Sequence, residues 1–84
     1  MDTAQWVGLA AGLLTTFAFV PQVLKIWRTK SAKDISLRTY IAFSLGVAMW
    51  LVYGVLKQEP PIILWNAVTL VLAIAIVAMK LRFH

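Results

Sequence analysis

The chain has 84 residues, 62% hydrophobic and 13% charged, with a mean hydropathy of +0.85. A soluble domain this small needs a polar surface that such a composition does not supply, so the sequence describes an integral membrane protein. A net charge of +5 would suggest nucleic acid in a soluble protein, but the basic residues flank apolar segments. Membrane orientation accounts for them there, and no nucleic-acid partner is expected.

The first predicted span runs from about residue 4 to 24, an apolar stretch long enough to cross a bilayer as a helix. Pro21-Gln22 lies near its end. Proline cannot donate its backbone hydrogen bond, so the carbonyl of Phe17 loses its partner. Lipid tolerates that loss only where neighbouring helices, polar side chains or water satisfy the freed group. A moving hinge and a static kink both fit this pattern. A cleaved leader does not: Met1-Asp2-Thr3 is acidic, the apolar run exceeds a leader core, and the basic residues come after it. The span is therefore expected to belong to the mature protein. Gly8 and Gly12 form a small-xxx-small pair that permits close helix approach. Trp6 and Trp65 are expected as anchors at the outer interface and Trp27 at the inner one. Thr15, Thr16 and Thr69 could line a polar path or bond their own helix backbones.

A polar connection follows, with Ser36 a candidate N-cap for the second span, about 39–56. Within that span Phe43, Gly46, Trp50, Tyr53 and Lys57 recur every three or four residues and share one face. Trp50 lies roughly 10 Å inside Lys57 at the helical rise, too deep for an interfacial belt. Its N–H needs a partner there, either a neighbouring helix or a ligand.

Lys57 to Pro61 make a tight connection, with proline suited to open the third span, about 62–79. Asn66 sits roughly 8 Å beyond Pro61, at a depth matching Trp50. Its amide offers donors and acceptors to a neutral, hydroxyl-rich ligand, or serves as glue between helices. Taken together, an indole for the apolar face of a sugar and an amide for its hydroxyls read as a binding site.

Seven of the eight lysines and arginines fall in the first connection and after the third span. That asymmetry predicts an outside N-terminus and a cytoplasmic C-terminus. Three helices alone do not enclose a polar path. Two identical chains about an axis along the membrane normal would make six, so a parallel homodimer is expected. No enzyme signature is present. With one histidine, His84, and no cysteine, neither a metal site nor a cofactor is expected. The only acids, Asp2, Asp34 and Glu59, lie outside the spans, which favours energy-independent facilitation over proton coupling.

Pro21-Gln22, a short basic spacer and Thr29-Lys30-Ser31-Ala32-Lys33-Asp34-Ile35-Ser36 together resemble the PQ-loop signature. With the length, the three spans, Trp50 and Asn66, the whole chain is similar to the bacterial SemiSWEET sugar transporters, half-size relatives of the SWEET proteins. The resemblance implies an all-α membrane protein, a single three-helix PQ-loop repeat over residues 1–84 that assembles as a six-helix parallel homodimer. It implies a sugar path on the twofold axis, with Trp50 and Asn66 of both protomers forming the central pocket. Pro21-Gln22 would be the hinge, and Tyr53, Lys57 and Glu59 the extracellular gate. Lysine stands at 57 where arginine also occurs in relatives, and its contact is less directional. Phe43 would lie near the cytoplasmic gate. The expected function is facilitated movement of a mono- or disaccharide, such as glucose or sucrose, across the bacterial inner membrane by alternating access. The alternatives are a structural or assembly subunit of a membrane complex and a PQ-loop amino-acid carrier.

Overall fold

Asp2 opens the first helix, α1 (Thr3–Phe17), with a capping box. Its carboxylate accepts the Gln5 N–H at 2.8 Å while the Gln5 side chain accepts the Asp2 N–H at 3.1 Å. The computed structural model describes residues 2–84, so Met1, the first residue of the expected repeat, lies outside the described residues.

The hydrogen-bond ladder of the first span is interrupted just before Pro21. α1 ends at Phe17 and a second helix, α2 (Val20–Thr29), begins three residues later. Ala18 and Phe19 stay in the right-handed helical region, and the Phe19 N–H turns back to Thr16 O at 3.1 Å. Pro21 therefore occupies the first turn of α2, where a missing N–H costs nothing. Together α1 and α2 make one apolar span, Thr3–Thr29, five residues longer at its end than the expected 4–24.

α3 (Leu37–Lys57) starts at the expected cap, with Ser36 Oγ accepting the Thr39 N–H at 3.2 Å. It ends where Gln58 turns left-handed (φ 54°). The Glu59 N–H then reaches Gly54 O at 2.9 Å and the Gln58 N–H reaches Val55 O at 3.2 Å, satisfying the last carbonyls. α4 (Pro60–Phe83) follows with both prolines in its first turn, as expected of proline at a helix start. All three spans are long and apolar enough to cross a membrane, and the molecule extends 43 Å along its long axis.

α4 lies between α3 and the first span. Its seam with α1 is a parallel register of three steps. Gly8 faces Pro61, Gly12 faces Trp65, and the hydroxyls of Thr16 and Thr69 meet at 2.8 Å. Small residues every four positions on α1 thus admit the bulk of α4. At the basic end, Ile26, Ala32, Ile35 and Ile76 form a buried cluster under Phe19, Val23, Tyr40, Met79 and Phe83. Lys80 Nζ donates to Ala32 O at 2.9 Å, and Lys30 Nζ lies 3.5 Å above the Trp27 ring. These contacts hold the polar connection against the end of α4.

Candidate functional site

α1, α3 and α4 together wall a groove of about 660 Å³, open along one flank of the molecule. That volume suits a small-molecule site. α1 contributes Gly8, Gly12, Thr15 and Thr16, and the break after it contributes Ala18 and Phe19. α3 contributes Phe43, Val47 and Trp50, and α4 contributes Pro61, Ile62, Trp65, Asn66 and Thr69.

The groove brings Trp50 and Asn66 together from different helices. Trp50 is 57% exposed and packs edge-to-face on Tyr53, with ring centroids 5.3 Å apart. It is not wedged between helices of its own chain. Asn66 is half-buried, and its Nδ2 donates to Ile62 O at 2.9 Å, one turn back on its own helix. The amide therefore does not act as glue between helices within the protomer. Among the described hydrogen bonds its oxygen accepts none.

Phe43 stands at the basic end of the same groove, its ring 5.4 Å from Phe19 and 6.2 Å from Tyr40. Tyr53 and Lys57 continue the exposed face of α3 beyond Trp50, and Glu59 is the half-buried residue that caps α4 without a side-chain bond. These three lie outside the groove wall. Pro21 is exposed, whereas Gln22 is half-buried and its Oε1 accepts the Tyr40 hydroxyl at 2.7 Å. Gln22 thus ties α2 to the start of α3, directly after the break.

Several participants were not singled out by the sequence. Phe19 and Val47 look like any apolar residue of a span, and nothing local marks them as groove wall. Thr16 is 2% exposed and bonded across the seam, while Thr15 bonds the carbonyls of Ala11 and Gly12 on its own helix. The spacing of Gly8, Gly12 and Thr16 is the signal that separates the two threonines. Trp65 departs most from expectation. It is not an interfacial anchor: its indole rests on Gly12, and its Nε1 is buried. Trp6 and Trp27 stay exposed, as anchors require.

Three apolar spans around a groove that opens on one flank and carries indole, amide and hydroxyl groups define a multi-pass α-helical membrane protein with a cleft of small-molecule size. The model of the PQ loop repeat family matches residues 3–63. The sugar transporter SemiSWEET of Bradyrhizobium diazoefficiens is 48% identical over 77 residues, 92% of this chain and 90% of that protein. The crystal structure of a bacterial homologue of SWEET transporters superposes with a TM-score of 0.94 at 44% identity, covering 99% of this chain and all of that one. A SemiSWEET crystallised in the inward-open conformation gives a TM-score of 0.88 at 40% identity, covering 98% of this chain and 88% of that one. The chain belongs to the PQ-loop family, in its SemiSWEET branch.

Proposed function

We propose that this chain is a sugar facilitator that works as a parallel homodimer by alternating access. It sits in the bacterial inner membrane with its N-terminus outside and its C-terminus in the cytoplasm. The observation that carries this reading is that Trp50 and Asn66, on different helices, wall one open groove without being tied to another helix. The indole stacks on the apolar face of the sugar and the amide bonds its hydroxyls. A second copy against the open flank encloses the path and supplies both groups twice. Tyr53, Lys57 and Glu59 form the extracellular gate, Phe43 the cytoplasmic one, and the break before Pro21-Gln22 is the hinge. A relative named sugar transporter SemiSWEET and a SemiSWEET crystallised inward-open support this reading.

The test is uptake of labelled glucose and sucrose into proteoliposomes of the purified protein. Because no acid or histidine lies within a span, sugar should equilibrate, and an imposed pH gradient should leave the final internal concentration unchanged. Accumulation driven by the gradient would contradict facilitation. Failure to move either sugar would contradict the substrate class.

The hinge has its own expected result. In Pro21→Ala the new N–H can bond the Phe17 carbonyl, so α1 and α2 can merge into one helix. The variant should fold at least as well as the wild type and still bind sugar, while its uptake falls. Unchanged uptake in purified Pro21→Ala would reduce the break to a static feature.

A further inference from the structure

Trp65 occupies two structures at once, the α1–α4 seam and the groove wall. A Cβ placed on Gly12 would fall inside its indole and within 2.7 Å of Nε1, so the ring lies directly on the α1 backbone. Its N–H is buried and makes no hydrogen bond among the described residues. An unpaired buried donor is rare and unfavourable, all the more in a span where water does not reach. The next residue, Asn66, walls the same groove, as does Thr69 one turn on. The donor is therefore held beside the cleft, and what covers it is the one helix that is broken below this level.

We infer that Trp65 Nε1–H is a further substrate-binding group, donated to a sugar hydroxyl once α1 withdraws from the indole. This rests on the sugar reading given above. The seam is suited to such a movement because at Gly12 it is made of backbone against ring, with no side-chain bond to break. The Thr16–Thr69 bond one turn below marks the level about which α1 can tilt. In this arrangement the two indoles have different tasks. Trp50 offers a face, and Trp65 offers a donor that becomes available as the sugar arrives.

Trp65→Phe keeps a ring on Gly12 and removes only the donor. Without sugar, the variant should be as thermally stable as wild type or more so, because an unpaired buried N–H is gone. Sugar affinity should nevertheless fall about thirtyfold, the effect of losing one neutral hydrogen bond from each of two copies. A panel of monodeoxy sugars then locates the contacts: an analogue lacking one accepting hydroxyl should lose less affinity than the parent sugar on going from wild type to Trp65→Phe. Should phenylalanine leave a packing fault, benzothienylalanine at this position retains the indole shape without the N–H, and the same losses are expected. Wild-type affinity in both variants, or an equal loss for every deoxy analogue, would overturn the inference while leaving the sugar reading intact. Absence of sugar binding by the wild type itself would overturn both.

Discussion

Trp50→Ala and Asn66→Ala should each bring sugar uptake to the level of empty liposomes while the protein remains folded and dimeric. The fold should tolerate both changes. Trp50 is more than half exposed in the protomer and meets Tyr53 edge-on, and among the described residues the Asn66 amide bonds only its own helix. In the proposed homodimer the effect on transport is large, because both copies carry each substitution. Burying a ring of this size against a ligand contributes on the order of 2 kcal/mol, so losing two costs about 4 kcal/mol, close to a thousandfold in affinity. Each amide hydrogen bond contributes about 1 kcal/mol, and the loss is again doubled. Equilibrium binding of labelled sugar, measured alongside uptake, separates a lost pocket from a lost movement. Uptake retained in both variants at normal expression would remove these residues from the site.

Gly12→Ala is expected to be strongly destabilising. The added carbon would coincide with the Trp65 indole, so either the ring leaves the seam or α1 moves off α4. Overpacking of this kind costs about 3 kcal/mol. Thermal unfolding of the purified variant should show the loss directly. Combining it with Trp65→Ala should restore part of the stability, because the two residues share one space and their effects are then not additive. Additive losses would mean that the seam is looser than the Gly12–Trp65 contact indicates. Gly46 provides the internal control. A Cβ there meets nothing within 4 Å in the protomer, so Gly46→Ala should leave the protomer's own packing unchanged.

The elements, and the placing of Trp50 and Asn66 at one groove, were legible because their signals are local or chemically conspicuous. Hydropathy marks the three spans, Ser36 and Pro60 mark helix starts, and both act through neighbouring backbone groups. Trp50 and Asn66 stand out because a deep indole and an amide are unusual in an apolar helix and call for a partner wherever the helix packs. Other features depended on which faces meet. Proline announces that the hydrogen-bond ladder fails, but only the packed chain puts the break at Ala18–Phe19, with Pro21 placed harmlessly beyond it. The bond from Tyr40 to Gln22 joins side chains on separate helices, and no periodicity in either helix encodes it. Trp65 is the clearest case. By sequence it is an interfacial tryptophan like Trp6, one residue type at a similar distance from a span end. The register of α1 on α4 makes the difference, because Gly12 offers a bare backbone at the level of Trp65, and an indole with that surface beside it packs there half-buried, its Nε1 covered.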